Sequence, residues 1–484
     1  MFLGIDIGTS GVKAALIDED GALIEQASAP LGVQRPQPLY SEQDPLEWWR
    51  ATGQAVSALN AMRRRQVRAV GVAGQMHGAT LLGEGDKVLR PAILWNDGRS
   101  GEQCAELEAA EPRAREITAN VAQSGFTAPK LMWVRRHEPE IFAAISSVLL
   151  PKDYVRLRMT GVKASDVSDS AGTLWLDVGA RRWSPEMLAA TGLSGTQMPE
   201  LFEGTEPTGH LLPEIAAEWG MEAVSVAAGA GDNAAAAIGV GVIRDGDAFL
   251  SLGTSGVSFV ATDALRPRPA RGLHAFCHAL PGKWHQMSVM LSAAACLDWA
   301  ASLLGFADVP ALLAEAERAS GPGPTIFLPY LAGERTPYAD PHAMGVLFGL
   351  TASTSRAEVA RAVLDGVAMG LRDGIDVIVE AGTRVDAFTL VGGGSRSAFW
   401  GRLIASALDR PIVTREGGEV GPALGAARLA RIAAGAASIE EACQAPPVTA
   451  SIEPEADLVG YFADRQPRFA ALFTALKPHF RGLP

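Results

Sequence analysis

The chain has 484 residues, which is too long for one core of ordinary size, so we expect two large domains. Its composition is 48% hydrophobic, 20% charged and 6% aromatic, which excludes an intrinsically disordered protein. The formal net charge of −12 argues against binding nucleic acid over a broad surface, because phosphate backbones require clustered Lys and Arg. We interpret the densest basic run, MRRRQVR at 62–68, as a solvated helix end.

The cysteines and the N-terminus favour a cytoplasmic protein. Four cysteines occur without a CxxC pair or a metal-ligand spacing, and we interpret them as reduced thiols: Cys104, Cys277, Cys296 and Cys443. The N-terminus has no basic segment, and Asp6 interrupts its apolar run, so we expect no secretory signal. Residues 224–242 are mostly uncharged, but they are rich in Ala and Gly and include Asp232 and Asn233, so we expect no membrane span.

Short β-rich runs alternate with Ala- and Leu-rich helical patterns, which predicts an α/β fold. Residues 2–28 (FLGIDIGTSGVKAALIDEDGALIEQAS) predict three antiparallel strands joined by a GTSG turn and an Asp-Gly turn. A helix over 44–62 and a strand over 67–74 follow. No GxxxxGK[ST] string occurs, so we expect no Walker loop, although GTSG between two strands can cradle phosphate with backbone N–H groups and hydroxyls.

The second half of the chain repeats this plan. Residues 247–261 predict a strand, a turn and a strand after the turn-like RDGD at 244–247, where we place the domain boundary. Residues 384–408 predict a strand, three glycines and a helix, and a final helix is predicted near 463–477.

The pentapeptide GTSGV occurs twice, at 8–12 and at 253–257, near the start of each half. Both copies lie between β-type runs, as expected of two duplicated domains that each present a phosphate-facing hairpin to one nucleotide. The alternative is that Gly-Thr-Ser-Gly only satisfies the backbone geometry of two hairpins. We favour the functional interpretation because both copies occupy equivalent places.

Two aspartates become candidates beside these turns. Asp6 lies two residues before the first turn, where a carboxylate can hold Mg²⁺ together with substrate phosphates; the alternative is a carboxylate bonded to turn amides. Asp232, in AAGAGDNAAAA, precedes a predicted helix and follows small residues that allow close backbone approach. The alternative for Asp232 is an N-cap. We favour a base that orients an acceptor hydroxyl and takes its proton during phosphoryl transfer.

A histidine follows the predicted strand at 67–74, in GQMHGATLL. His77 and the adjacent Met76 suit substrate binding at the carboxyl end of a strand, although a lone histidine is more often a packed or surface residue. Asp97 and Arg99 either hydrogen-bond a polyol or pair with each other. The glycines of LVGGGSRS lack the dinucleotide spacing, but glycines that open a helix suit contact with adenine or ribose.

Two longer segments resemble the signature segments of the FGGY family of carbohydrate kinases, at matching spacing. They are GFTAPKLMWVRRHEPEIF (125–142) and GVLFGLTASTSRAEVARAVLDG (345–366). Shorter segments add to the resemblance, which spans essentially the whole chain: SEQDPLEWW, GVAGQMHGATLL, RPAILWNDGR, LLPKDYVRLRMTG and FLPYLAGERTP.

The resemblance implies two duplicated actin-like, ribonuclease H-like α/β domains, 1–244 and 245–484, with ATP in the cleft between them. It implies ATP and Mg²⁺ as cofactors and the terminal hydroxyl of D-xylulose as acceptor. Related kinases for ribulose, gluconate, glycerol or a deoxy sugar are the alternatives, and a regulatory ATPase of the actin type is a further one. The expected partners are a sugar and ATP, without nucleic acid or membrane, and a homodimer is a candidate assembly.

The resemblance also implies roles for individual residues. Asp232 matches the general base and contacts the sugar, and Asp6 matches the metal-associated aspartate. The sugar-contact pair is Met76 and His77. The remaining matches concern the nucleotide: Thr9, Ser10 and Lys13 in the first phosphate hairpin, Gly253 and Thr254 in the second, and Gly392, Gly393, Gly394 and Ser397 in the adenosine motif.

Overall fold

Two mixed sheets organise the computed structural model, which describes residues 1–319, 321, 323–392, 397–416 and 421–481. The seven strands of the first sheet come from the first half of the chain: β1 Phe2–Ile7, β2 Gly11–Ile17, β3 Leu23–Pro30, β4 Ala69–Gly74, β5 Pro207–His210, β6 Ser225–Ala227 and β7 Ala230–Gly231. They lie in the order β5-β6-β4-β1-β2-β3, and β7 pairs with β4.

The second sheet also has seven strands, all from the second half. They are β8 Ala248–Leu252, β9 Gly256–Thr262, β10 His274–Cys277, β11 Trp284–Met290, β12 Phe388–Val391, β13 Ile412–Arg415 and β14 Val448–Ile452. Their order is β10-β11-β9-β8-β12-β13-β14. Short strand pairs lie outside the two sheets: Glu42–Gln43 with Ala92–Ile93, Thr80–Leu82 with Ser147–Leu149, Ala164–Asp166 with Glu200–Phe202, Leu176–Asp177 with Arg182–Trp183, and Ile326–Leu328 with Val346–Phe348.

Helices pack around both sheets. The first half contributes α1 Pro45–Ser57, α2 Ala61–Arg64, α3 Gly101–Ala110, α4 Ala114–Thr118, α5 Thr127–His137, α6 Pro139–Ala143, α7 Pro151–Thr160, α8 Val167–Ser170, α9 Pro185–Thr191, α10 Pro213–Trp219 and α11 Asp232–Val240. The second half contributes α12 Ala294–Leu303, α13 Val309–Glu317, α14 Arg356–Glu380, α15 Ala398–Leu408, α16 Pro422–Ala433, α17 Ile439–Ala442 and α18 Ala456–Leu476.

The two sheets repeat one pattern around the GTSG turns. In the first sheet β1 pairs antiparallel with β2, so that Ile7 faces Val12, and parallel with β4. In the second sheet β8 pairs antiparallel with β9, so that Leu252 faces Gly256, and parallel with β12. The predicted meander in residues 2–28 and its repeat at 247–261 are therefore confirmed.

A helix from the second half covers the first sheet. A Cβ atom added to Gly4 of β1 would lie 1.9 Å from the carbonyl oxygen of Ala423, and one added to Gly71 of β4 would lie 2.0 Å from that of Ala426. These strand glycines therefore let α16 lie directly on the sheet, where larger side chains would hold it away. The boundary placed at 244–245 therefore does not separate two independently packed units, because α16 follows it in the chain but packs on the first sheet.

Three predicted element boundaries differ from the structure, and one strand was not predicted. The helix predicted over 44–62 ends at Ser57, because Asn60 has an extended backbone and caps the separate helix α2. The strand predicted over 67–74 begins at Ala69. The final helix begins earlier than predicted, at Ala456, and contains Pro467. Strand β14 was not predicted: its sequence VTASI alternates apolar and polar residues, but it is short, mostly exposed and lies in a tail with several prolines.

Other predictions from composition are confirmed. Residues 224–242 form β6, β7 and α11 inside the fold. In the part of the chain that the structure describes, no helix combines the length and the apolar composition needed to cross a bilayer. All four cysteines are free thiols.

Candidate active site

The candidate site lies where three neighbouring strands of the first sheet end together. Gly74 of β4 pairs in parallel with Ile7 of β1 on one side and with Gly231 of β7 on the other. The first GTSG turn, the segment that begins at Gln75 and the start of α11 at Asp232 therefore emerge from one edge. The carboxyl edge of parallel strands is the usual place for ligand binding in open α/β sheets.

Asp6, near the end of β1, carries a carboxylate whose charge is poorly compensated by its surroundings. Its Oδ1 atom is buried and has no hydrogen-bond partner among the described residues. The pKa of the Asp6 carboxyl is raised to about 7, mainly by burial and then by the charge of Asp232, while Lys13, its cross-strand neighbour, acts in the opposite direction. A bare oxygen in this setting requires a cation or a proton, so the residue suits a metal.

Asp232 is the first residue of α11, and Gly231 is the N-cap. The N-cap alternative for Asp232 is therefore wrong. Its Oδ1 atom accepts hydrogen bonds from the backbone N–H of Asn233 at 2.7 Å and from Asn233 Nδ2 at 2.9 Å. Burial raises the pKa of Asp232 to about 6, and the two bonds from Asn233 oppose that rise. Oδ2 makes no hydrogen bond to a described residue, so it can accept a substrate proton.

Glycines bring this carboxylate close to β4. Gly229 has a φ of 76°, and a Cβ atom there would lie 1.7 Å from the carbonyl oxygen of Val72. A Cβ atom on Gly231 would lie 2.9 Å from Met76 Cγ. The small residues before Asp232 therefore serve close backbone approach, as the sequence predicted.

A buried charged cluster supports the same turn from behind. The ammonium of Lys152 lies 2.7 Å from Asp166 Oδ1 and 3.5 Å from Asp169 Oδ2, and all three side chains are fully buried. Ser168 Oγ donates to Asp166 and accepts from the backbone N–H of Gly231 at 3.2 Å. The cluster thus fixes the residue that precedes Asp232. Sequence reasoning missed it, because the lysine and the aspartates lie in separate segments.

His77 follows Met76 and forms one wall of the site with it. Its Nδ1 atom is 2.7 Å from the carbonyl oxygen of Gly172, its ring packs edge-on against Phe126 at 4.8 Å, and its φ is 69°. Burial lowers the pKa of His77 well below its ordinary value, so the ring is neutral. Because a carbonyl can only accept, Nδ1 carries the proton and Nε2 is left as an acceptor.

Gly172 shapes this wall, and no sequence signal pointed to it. A Cβ atom at Gly172 would lie 2.5 Å from His77 Cε1 and 2.9 Å from Met76 Cε. The absence of a side chain there admits both residues of the predicted sugar-contact pair. The backbone oxygen of His77 also accepts from Lys130 Nζ at 2.8 Å, which fixes the turn.

The first GTSG turn is braced by side chains from three other segments. Thr9 Oγ1 donates to Gln75 Oε1 at 3.0 Å and accepts from Trp95 Nε1 at 3.0 Å. Gln43 Nε2 donates to the Thr9 carbonyl at 2.7 Å. Since the single hydroxyl hydrogen of Thr9 is already used, this hydroxyl braces the turn. Ser10, at the tip, is exposed.

The second GTSG turn is held against the start of α12. The carbonyl oxygen of Thr254 accepts from the backbone N–H of Ala293 at 2.9 Å, and that of Gly253 accepts from Ala294 at 3.0 Å. Both Gly253 and Thr254 are exposed. The turn thus stands at the carboxyl edge of the second sheet, which corresponds to the position of the first turn.

The predicted adenosine motif is described only in part. Gly392 follows β12 with a φ of 88°, a conformation that favours glycine, and Gly393 and Gly394 lie outside the described residues. Ser397 caps α15, with its hydroxyl accepting from the backbone N–H of Trp400 at 3.2 Å. Its role toward adenosine stays a prediction.

Asp97 and Arg99 pair with each other, the simpler of their two interpretations. Arg99 Nε lies 2.9 Å from Asp97 Oδ1, and Nη2 lies 2.7 Å from Oδ2. Asp97 Oδ2 also accepts from the backbone N–H of Ser41 at 2.6 Å. The pair therefore anchors a loop and has no free carboxylate oxygen for a polyol.

Comparison with known families decides the class of the protein. The model of the N-terminal domain of the FGGY family of carbohydrate kinases matches residues 1–239, and the model of its C-terminal domain matches residues 248–434. The chain belongs to the FGGY family of carbohydrate kinases. The family and the duplicated α/β fold predicted from the sequence are thus confirmed.

Individual relatives of this FGGY kinase are similar along its whole length. Xylulose kinase of Escherichia coli strain K12 is 54% identical over 481 residues, which are 99% of each chain. The crystal structure of a xyloylose kinase from Brucella ovis matches with a TM-score of 0.95 and 51% identity, covering 99% of both chains. Gluconate kinase of Lactobacillus acidophilus matches with a TM-score of 0.92 and 25% identity, covering 98% of this chain and 97% of that chain.

Proposed function

We propose that this FGGY kinase transfers the γ-phosphoryl group of ATP to the terminal hydroxyl of D-xylulose, giving D-xylulose 5-phosphate and ADP. The observation that carries the proposal is the Asp232 carboxylate, whose Oδ2 atom is uncommitted beside the wall formed by Met76 and His77. The similarity to xylulose kinases over the whole chain supports this choice of sugar.

Asp232 is the general base. The two hydrogen bonds from Asn233 hold Oδ1, so that Oδ2 is oriented toward the acceptor hydroxyl and takes its proton as the phosphoryl group transfers. Phosphoryl transfer depends mainly on positioning and on charge stabilisation, and the buried cluster behind Gly231 supplies a rigid support for this base.

The wall at His77 orients the sugar. With Nδ1–H donated to Gly172, the neutral ring presents Nε2 as an acceptor for a sugar hydroxyl, while Met76 supplies an apolar contact. The ring is fixed before the sugar arrives, because Nδ1 is bonded to the Gly172 carbonyl, the ring packs against Phe126 and the His77 backbone oxygen accepts from Lys130.

The two GTSG turns hold the phosphates of ATP from the two sides of the cleft. Ser10 and Lys13 act with the first turn, and Gly253 and Thr254 with the second. Gly392, Gly393, Gly394 and Ser397 contact the adenosine. Closure of the halves around both substrates then excludes water and aligns the hydroxyl with the γ-phosphorus.

The residues present fit a magnesium ion. Asp6 offers a buried carboxylate oxygen without a partner, and no cluster of three or more His, Cys, Asp or Glu side chains suited to a metal occurs among the described residues. One carboxylate together with substrate phosphates is a usual way of holding Mg²⁺. When bound, the ion neutralises charge on the phosphoryl oxygens.

Three further features belong to the proposal. We place the domain boundary between 244 and 245, in the turn before β8. We place the protein in the cytoplasm, because its four cysteines are free thiols. A homodimer is the candidate assembly, which light scattering coupled to size-exclusion chromatography measures directly.

A substrate panel tests the proposal. ADP release is followed with D-xylulose, D-ribulose, D-gluconate, glycerol and a deoxy sugar, each with Mg²⁺ and ATP, and without any sugar. We expect the highest kcat/KM with D-xylulose, and a product phosphorylated at C5. If kcat/KM is about tenfold or more higher with another acceptor, that acceptor and not D-xylulose is the substrate. ADP release that is independent of every sugar supports a regulatory ATPase instead.

A further inference from the structure

The segment FLPYLAGERTP carries an arginine that none of the roles above uses. Arg335 lies in the loop between the short strands Ile326–Leu328 and Val346–Phe348. The following residue, Thr336, donates its backbone N–H to the carbonyl of Val289 at 3.1 Å, and its hydroxyl accepts from the backbone N–H of Val289 at 3.2 Å. The loop is therefore pinned to β11, in the second half of the chain.

Glu334 fixes the backbone of Arg335 from the other side. Its Oε1 atom accepts from the backbone N–H of Arg335 at 2.7 Å and from that of Leu291 at 3.1 Å. The Glu334 carboxylate thus accepts hydrogen bonds from two backbone N–H groups. One of them, that of Leu291, lies two residues before Ala293, which holds the second GTSG turn. The Arg335 side chain leaves this anchor and crosses toward the first half.

Its guanidinium reaches the sugar wall. Arg335 Nη2 lies 3.1 Å from the position that a Cβ atom on Gly125 would take. Gly125 precedes Phe126, whose ring contacts those of His77 at 4.8 Å and His274 at 5.5 Å. Burial is the largest cause of the lowered pKa values of His77 and His274, and the positive charge of Arg335 adds to it, which agrees with this location. Arg335 has no such effect on Asp6 or Asp232.

The guanidinium has unused donors. Within the described ranges of the chain it makes no hydrogen bond and no ion pair. Three other arginines with little exposure form ion pairs: Arg99 with Asp97 and Glu42, Arg90 with Glu42 and Glu138, and Arg181 with Glu203. The buried Arg428 instead donates to the carbonyl oxygen of Ile238. Burial lowers the pKa of Arg335, and the charge of Glu334 opposes this shift only in part.

We infer that Arg335 binds the sugar across the cleft, at the end away from the transferred phosphoryl group. Resting on the proposed function, the inference assigns its guanidinium to the oxygens at C1 and C2 of the ketose, which are adjacent acceptors suited to a forked donor. A residue anchored in the second half would then contact a sugar bound by the first half. The sugar would link the two halves as well as fill the site.

Three variants test this role. They are Arg335→Ala, Arg335→Lys and, as a matched control, Arg384→Ala, which changes an exposed arginine of the same half that pairs with Asp386. We expect Arg335→Ala to raise the KM for D-xylulose by about 10- to 100-fold, and Arg335→Lys to recover part of that loss. The dissociation constant of ATP without sugar should change less than twofold, and Arg384→Ala should match the unmodified protein.

Two altered substrates locate the contact. 1-Deoxy-D-xylulose lacks the C1 oxygen, and xylitol has the C2 ketone reduced, so the penalty of Arg335→Ala should be smaller on at least one of them than on D-xylulose. An unchanged KM for D-xylulose, an equal penalty on all three acceptors, or an equal loss of ATP affinity would each overturn the assignment.

The test separates this inference from the proposed function. The unmodified protein on the substrate panel tests the acceptor, whereas the ratio of variant to unmodified protein on the preferred acceptor tests Arg335. If Arg335→Ala does not fold, as judged by its melting temperature, Arg335→Lys carries the comparison, because it keeps the charge and loses the planar fork.

Discussion

Asp6 and Asp232 lie on the two sides of strand β4, close enough that the charge of Asp232 raises the pKa of the Asp6 carboxyl. Each also has one oxygen without a hydrogen bond to a described residue. Two neighbouring carboxylates of this kind repel each other in the free protein. They become compatible when a cation and a proton-donating hydroxyl occupy the space, which is the chemistry required at a phosphoryl-transfer site.

Asp232→Asn should remove most of the sugar phosphorylation. The amide keeps the size of the side chain but cannot take the hydroxyl proton, so we expect kcat to fall by about a hundred- to ten-thousand-fold. ATP affinity, measured by calorimetry, should stay within a fewfold. Asp20→Asn, in an exposed turn, is the control. A kcat of the variant close to that of the unmodified protein would contradict the assignment of the base.

The pH dependence of kcat/KM should report the same carboxylate. A base must be ionised, and the pKa of Asp232 is raised to about 6, so the rate should fall as the pH decreases through 6, by about tenfold per unit below it. Asn233 Nδ2 donates to the ionised form, so Asn233→Ala should move this acidic limb to higher pH. If Asn233→Ala leaves the acidic side of the profile unchanged, Asp232 is not the group that titrates there.

Gly172→Ala should damage the sugar site while ATP binding persists. The added methyl group would lie 2.5 Å from His77 Cε1, so the ring must move, and we expect kcat/KM for the sugar to fall at least about tenfold. Overpacking of this kind also costs about 1–3 kcal/mol of stability. Gly101→Ala, where a Cβ atom meets nothing within 4 Å, serves as the control. An unchanged KM for the sugar in Gly172→Ala would show that His77 and Met76 can move aside without loss of sugar binding.

Much of this site was predictable, because its chemistry lies in short local strings. The repeated GTSG turn, Asp6 and Asp232 are local signals, because the residues next to them in the sequence predict the turn, strand or helix start on which they lie. The turns and strands around them are confirmed. Gly172, Arg335 and the cluster around Lys152 were missed for the opposite reason. Each acts through contacts between distant segments, and no local spacing records that Gly172 faces His77 or that Arg335 faces Gly125.

Glu334→Gln should change how stability depends on pH. Burial raises the pKa of Glu334 to about 8, so between about pH 4.5 and 8 the folded state binds more protons than the unfolded state at this residue. Stability therefore falls with rising pH in this window, by up to about 1.4 kcal/mol per unit. Glutamine keeps the acceptor oxygen and removes the titration. The free energy of unfolding of the variant, relative to the unmodified protein, should rise from pH 5 to pH 8; a constant difference would contradict the raised pKa.

Gly425→Ala should weaken the packing between the halves. A Cβ atom on Gly425 of α16 would lie 1.7 Å from the carbonyl oxygen of Ala235 in α11, so the two helices must separate. Because Arg428 of α16 also donates to the carbonyl of Ile238 at 2.9 Å, that separation strains a second contact. We expect a loss of about 1–3 kcal/mol in the free energy of unfolding.

Gly460→Ala is the matched control for this change. Gly460 lies inside α18 with nothing within 4 Å of its Cβ position, so alanine should stabilise the helix by about 0.5–1 kcal/mol. The two substitutions are chemically identical and should have opposite signs in urea unfolding. Equal effects would mean that helix propensity, and not the contact between α11 and α16, decides the outcome at Gly425.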